Sequence, residues 1–275
     1  MRFELGVIVP LREEVDAEFD QVARLALPTC QLACWRPQIL SEALAEKVVA
    51  ASRRTGVRVS SLWAGYSGPV KWNFTQGPRT IGLVPDEHRG YRTEELLRAA
   101  DFARAIGAPS ITTHVGFIPD DPDDHRYGPM IESLQRVIGR CGELGLGFNY
   151  ETGQETPVTL LRTIEDVGLP GQGVNLDPAN LILYGKANPV DALEVIGRYI
   201  AGVHVKDGMY PTNGRELGHE TPVGRGRVDF RALLRGLWQL GYRGPLTIER
   251  EISGPQQEAD IRESLGLLRA MFGDD

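Results

Sequence analysis

The chain has 275 residues, 41% of them hydrophobic and 24% charged, which suffices for a large buried core and matches the size of a single barrel of alternating strands and helices. A formal net charge of −7 opposes nucleic-acid binding, and no apolar run approaches the ~20 residues that a membrane helix needs. The opening MRFELGVIVPLREE enters a strand directly, with no basic leader or long apolar stretch, so a cytoplasmic protein acting on a small molecule is expected.

The first apolar run, FELGVIV, reads as a strand, and REEVDAEFDQVARLAL after it carries apolar residues at helical spacing. TCQLACW is the second strand. Along it Cys30 and Cys34 would lie roughly 13 Å apart, beyond the ~7 Å reach of a disulfide; with Cys141 in a later helix, all three read as buried free thiols. SEALAEKVVAASRRTG follows as a helix capped by Ser41, then VRVSSLW as a strand, and TEELLRAADFARAIGA as a helix capped by Thr93. Strands SITTH, GFNYE, GVNLD, IAGVHVK and PLTIE then alternate with helices GPMIESLQRVIGRCGELG, TPVTLLRTIEDVG, NPVDALEVIGRY and VDFRALLRGLWQLG. Gly56, Gly107, Gly145 and Gly241 close helices, while Thr156-Pro157 and Asn188-Pro189 put proline at the first helical position. Eight strands in strict alternation, with no linker or break in composition, predict one α/β domain over residues 1–275, a (β/α)8 TIM barrel with a parallel closed sheet.

Three connections exceed simple links: Gly65 to about Arg92, with Trp72, Phe74 and Arg79; VGFIPDDPDDHRYG after His114; and Asp207 to Val228. All three follow strands, so all are expected at the mouth where barrels keep their functional loops.

Five strand runs stop at a single ionisable residue: His114, Glu151, Asp177, His204 and Glu249, at intervals of 37, 26, 27 and 45 residues. Strand ends are where such a barrel delivers side chains to its chemistry. Glu151, Asp177, His204 and Glu249 supply three carboxylates and an imidazole, a mixed set that suits one divalent ion, Mn²⁺ ahead of Mg²⁺, Co²⁺ and Zn²⁺. Without a cation, three carboxylates in a closed mouth repel one another. Taken singly, each can instead cap a helix or pair with an arginine.

The segments YETGQET, VNLDPANL, VHVKDG with VGRGRVDF, and LTIERE resemble the sugar phosphate isomerase/epimerase superfamily over nearly the whole chain. Its xylose isomerase-like barrels include ketose 3-epimerases, hydroxypyruvate isomerases, inosose dehydratases and, further off, endonuclease IV. The resemblance implies that Glu151, Asp177, His204 and Glu249 bind one divalent metal, and that Glu151 and Glu249 also exchange protons with the substrate. Two opposed bases invert a centre, whereas one base moving a proton between adjacent carbons isomerises.

Several neighbours are candidate substrate contacts, each with a second reading. Ketose 3-epimerases carry histidine three residues after the metal-binding aspartate; here Asn180 stands there, able to hydrogen-bond a hydroxyl or to cap the next short helix. Lys206 shares a strand face with His204 and can meet a substrate oxygen, or pair with Asp207 or another carboxylate. His114 belongs near substrate by the resemblance, or is a satisfied buried histidine. Arg225 or Arg227 in GRGR can meet an anionic group, although a turn capped by Asp229 explains the segment better. Trp72 and Phe74, with Trp35 and Trp63, form the wall of a sugar pocket or anchor their loops. His219 reads as solvent-facing, and His88 and His125 carry no role.

These residues lead to a metal-dependent sugar isomerase or epimerase. An inosose dehydratase-like lyase is the alternative, since loss of a β-hydroxyl from the same enediolate gives dehydration. An endonuclease IV-like hydrolase is disfavoured by the acidic charge and by only five histidines, and a non-catalytic sugar binder would not require two bases. The expected partner is a small-molecule sugar, with neither nucleic acid nor membrane; a homo-oligomer is left open.

Overall fold

Side chains alternate along a strand with a period of two, and here that alternation separates an apolar outer surface from a polar lumen. The computed structural model describes residues 2–272. Its strands β1 (Leu5–Pro10), β2 (Thr29–Cys34), β3 (Arg58–Ala64), β4 (Ser110–Thr113), β5 (Gly147–Glu151), β6 (Gln172–Leu176), β7 (Ile200–Val205) and β8 (Leu246–Ile248) close into a parallel barrel in the order β1-β8-β7-β6-β5-β4-β3-β2. Leu32, Phe148, Tyr150, Val203, Val205, Leu246 and Ile248 belong to the core beneath the helices. The alternate positions are small or polar: Thr29 and Gln31, Ser110 and Thr112, Asn149, Asn175, His204, Thr247. In register, Asn175 faces Gly202 across β6 and β7, and a β-carbon at Gly202 would collide with the Asn175 carboxamide.

The helices are α1 (Asp16–Arg24), α2 (Glu42–Thr55), α3 (Asp86–Ala105), α4 (Tyr127–Glu143), α5 (Pro157–Val167), α6 (Pro178–Leu183), α7 (Ala192–Ile196), α8 (Phe230–Gln239) and α9 (Pro255–Phe272). Ser41 caps α2 by accepting from Leu44 N, and Thr156 caps α5 ahead of Pro157. Gly56, Gly107, Gly145 and Gly241 all adopt left-handed backbone where their helices end. The three cysteines are buried and free, as expected.

Three boundaries differ from the sequence reading. Helix α3 begins at Asp86, so Thr93 is not a cap; it lies inside the helix, its hydroxyl donating to Arg89 O at 2.8 Å. The reason is Arg92, a fully buried guanidinium that donates to the carbonyls of Ser67, Pro69, Thr80 and Gly82 and so occupies a core position that the apolar pattern leaves blank. Asn188-Pro189 belongs to a turn, in which Asn188 Oδ1 accepts from Val190 N, and α7 starts only at Ala192. Helix α9, absent from the sequence reading, packs Ile261, Leu265 and Leu268 inward and completes the outer ring.

The long connections meet over the C-terminal ends of the strands. Phe74 N donates to Arg215 O at 3.3 Å, and Leu83 N to Val115 O at 2.8 Å, tying the loop after β3 to those after β7 and β4. Among the described residues no helix is long and apolar enough to cross a membrane.

Candidate functional site

Four elements bring the predicted cluster together. Glu151 ends β5, and Asp177 follows β6 as the cap of α6, accepting from Asn180 N at 2.9 Å. The hydroxyl of Thr152 accepts from Asp177 N and donates to Asp177 O, fixing that backbone. His204 lies near the end of β7, and Glu249 extends β8, its N–H donating to Val205 O. One ligand atom from each of Glu151, Asp177, His204 and Glu249 falls within 4.8 Å of all the others. His204 Nδ1 stands 3.1 Å from Glu151 Oε1, 3.1 Å from Glu249 Oε2 and 3.6 Å from Asp177 Oδ2.

The donor set fits a cation. Asp177 Oδ2, His204 Nδ1 and Glu249 Oε2 are buried without a hydrogen-bond partner, yet they converge on one point. Buried polar atoms are ordinarily paired; the Lys206 ammonium, 3.6 Å from Asp177 Oδ2 and 3.3 Å from Glu249 Oε2, offsets part of the cost of leaving these three without hydrogen bonds, and a cation at their point of convergence would offset more.

Among protein groups alone, burial opposes every charge here, and the neighbours decide the outcome. Burial pushes Asp177 up, only partly offset by Lys206 and His204. For Glu151 the same penalty is outweighed by His204 and His114, and for Glu249 by Lys206 and His204, leaving both carboxyls below their usual range. Burial favours neutral His204, but Glu151 and Glu249 overcome it and lift the imidazole well above its ordinary value.

Lys206, also fully buried, reaches Glu251 at 2.9 Å, Glu249 at 3.3 Å and Asp177 at 3.6 Å, with Asn180 Oδ1 accepting from it at 3.3 Å. Those carboxylates overcome its burial and hold the ammonium well above its ordinary range. The pairing with Asp207 does not form. Asp207 instead accepts from the backbone N–H groups of Gly208, Gly224, Gly226 and Val228. That explains GRGR: its two glycines wrap a buried carboxylate, and a β-carbon at Gly226 would strike it.

Asn180 is not the helix cap, a role Asp177 takes; its Nδ2 points to Glu151 Oε1 at 3.4 Å. His114 Nε2 lies 3.8 Å from the same oxygen, and its Nδ1 has no partner. Above them Trp35, Trp63, Trp72 and His114 form a ring of edge and tilted contacts, with centroids 4.6 to 5.9 Å apart. A cavity of about 230 Å³ opens between this wall, Asn180, Tyr184, Leu217 and the acids Glu151, Glu249 and Glu251. Arg225 does not reach it: the side chain is exposed and pairs with Glu263 at 2.7 Å. His219 is exposed, as expected.

A larger cavity of about 690 Å³ occupies the opposite, N-terminal end of the barrel, lined by Thr29, Gln31, Ser61, Asn149 and Asn175. Size does not make it the reactive site, because its charged rim residues Glu4 and Arg58 pair with each other. The sequence reading missed Glu251, Tyr184 and Gln31. Glu251 was visible as the residue two beyond Glu249, hence on its face of the barrel.

The model of the xylose isomerase-like TIM barrel family matches residues 19–271. A xylose isomerase domain protein from Planctomyces limnophilus is 34% identical, with a TM-score of 0.93 over 98% of both chains. The 3-keto-D-glucoside 4-epimerase of E. coli is 18% identical, with a TM-score of 0.76 over 98% of this chain and 100% of that one, and so shares the fold. An L-ribulose 3-epimerase of a Methylomonas species is 25% identical over 170 residues, 57% of this chain and 55% of that protein.

Proposed function

The chain belongs to the xylose isomerase-like TIM barrel family, and from that membership and the site beneath the tryptophan wall we propose a divalent-metal-dependent isomerase or epimerase of a small sugar. The observation that carries this reading is the convergence of orphaned Asp177 Oδ2, His204 Nδ1 and Glu249 Oε2 on one point, with Glu151 Oε1 beside them. The similarity to an L-ribulose 3-epimerase agrees with it.

Glu151, Asp177, His204 and Glu249 would hold the metal, Mn²⁺ first among the candidates, which supplies Lewis-acid polarisation of a carbonyl and its neighbouring hydroxyl. Glu151 and Glu249 arise from β5 and β8, so they approach the substrate carbon from different strands, one to take its proton and the other to return one. Asn180, oriented by Lys206 behind it, would meet a hydroxyl oxygen beside that carbon, and Trp63 and Trp72 would cover its C–H face.

The lyase alternative needs an acid to protonate the departing hydroxyl. The glutamate that has taken the α-proton can itself return it to that hydroxyl, so product analysis separates the two readings. The test is incubation of Mn²⁺-loaded protein with a panel of ketoses and keto-glycosides, following epimer formation, water loss and the effect of a chelator. Epimerisation abolished by chelation supports the reading; dehydration alone, or turnover indifferent to the chelator, overturns it.

A further inference from the structure

Gln31 sits at an inward position in the middle of β2, where alternation puts Cys30 and Leu32 into the outer core and leaves the carboxamide in the lumen. It is only 2% exposed. Its Oε1 lies 2.6 Å from His204 Nε2, across the barrel from β7, while the far side of the residue lines the N-terminal cavity.

An imidazole can offer a lone pair to a cation from one nitrogen only when the other carries the proton. A carboxamide oxygen only accepts, so its position beneath Nε2 calls for Nε2–H, and once the ring is neutral, as cation binding requires, the lone pair is left on Nδ1, on the side of Glu151, Asp177 and Glu249. The opposite tautomer would leave Oε1 without a donor and place a hydrogen at the point where the ligand atoms meet. Gln31 also supplies direction without adding a fourth negative charge to three buried carboxylates.

We propose that Gln31 is the positioning residue for cation binding, fixing both the ring plane and the Nε2–H tautomer of His204. This rests on the reading of Glu151, Asp177, His204 and Glu249 as a divalent-metal site. Partners of a ligating histidine typically change metal affinity about 10- to 100-fold when removed.

The experiment uses the full chain and the metal alone. Mn²⁺ affinity is measured by calorimetry for the native protein, for Gln31→Met, which keeps length and loses the acceptor, and for Gln31→Glu, which keeps an acceptor. Gln31→Glu, which keeps the acceptor and adds a charge that attracts a cation, should bind one Mn²⁺ at least as tightly as the native protein, and Gln31→Met about 10- to 100-fold more weakly. Long-range ¹H–¹⁵N spectra of the Zn²⁺-loaded native protein should show His204 protonated at Nε2. Native affinity in Gln31→Met, equal loss in both variants, or an Nδ1–H tautomer in the loaded native protein overturns the inference while leaving the metal site standing. If the native protein binds no divalent ion, the metal reading itself fails, and the role of Gln31 with it.

Discussion

Trp63 donates its indole N–H to Oε2 of Glu151, while Oε1 of the same carboxylate faces His204 Nδ1 at 3.1 Å. Asn175 Nδ2 approaches Oε2 as well, at 3.4 Å. The two oxygens therefore have different work: one is anchored to the barrel wall, and the other is presented to the cluster. Trp63→Phe keeps the aromatic wall and removes the anchor. Turnover should fall about tenfold, with Mn²⁺ affinity changed far less, as steady-state kinetics and calorimetry would show. Unchanged kcat would mean that the indole only fills space.

Burial disfavours a charged His204, but Glu151 and Glu249 hold its pKa well above the ordinary value, so the metal-free protein carries a proton that a cation must displace. Binding Mn²⁺ at neutral pH should then release about one proton, and affinity should rise about tenfold per pH unit below the raised pKa. Calorimetry in buffers of different ionisation enthalpy measures both. Asp177→Ala and His204→Ala should each lose most bound metal while remaining folded; full occupancy in both would remove the assignment.

Glu155, outside the four clustered ligand residues, offers a stability test. Burial raises its carboxyl from 4.5 to about 8, with only partial relief from backbone N–H groups and Lys186. The folded state therefore holds a proton that the unfolded chain gives up above 4.5, and the contribution is full below that pH and lost as pH rises towards about 8. Glu155→Gln, which cannot ionise, should be the more stable protein at pH 8 by on the order of 4 kcal/mol, with the difference shrinking towards pH 4.5. Parallel urea curves across that range would settle it; a gap independent of pH would show that Glu155 is not the titrating group.

The site was legible where a strand run ended in a lone charge. Glu151, Asp177, His204 and Glu249 stand out because each closes an apolar strand run with an ionisable side chain, in order along the barrel. Gln31 was hidden for the opposite reason: it lies inside TCQLACW, where a polar residue reads as a flaw in an apolar run and not as the inward member of a period-two pattern. Arg92 hid the start of α3 in a similar way, since a guanidinium satisfied by four carbonyls is core in space and surface in sequence. The partner of Lys206 is not legible in the sequence, because Glu251 lies 45 residues away in the loop after β8 and only closure of the barrel brings the two together.

Arg225 separates a sequence signal from a site. Its guanidinium lies on the surface against Glu263, outside the cavity that Glu151 and Glu249 line. Arg225→Ala should leave KM for a neutral sugar unchanged and stability close to that of the native protein, as exposed ion pairs contribute little. A large rise in KM would mean that the loop turns this arginine inward when substrate binds.

In the proposed reaction the paired glutamates move the proton, and isotope exchange distinguishes their roles. Glu151 and Glu249 each approach His204 Nδ1 to 3.1 Å, so both reach the cluster, but they come from β5 and β8. Glutamine at either position keeps size and one oxygen ligand while removing the base. In deuterium oxide the native enzyme should place deuterium on the carbon next to the carbonyl, provided the abstracted proton exchanges with solvent. Glu151→Gln and Glu249→Gln should still bind metal and lose turnover by at least about 100-fold. If the two act from opposite faces, each variant should exchange the proton of only one epimer, and of different epimers. If one variant exchanges both and the other neither, a single base serves both directions, and the chemistry is isomerisation between adjacent carbons. Near-native turnover in both metal-loaded variants would transfer the proton steps to other residues.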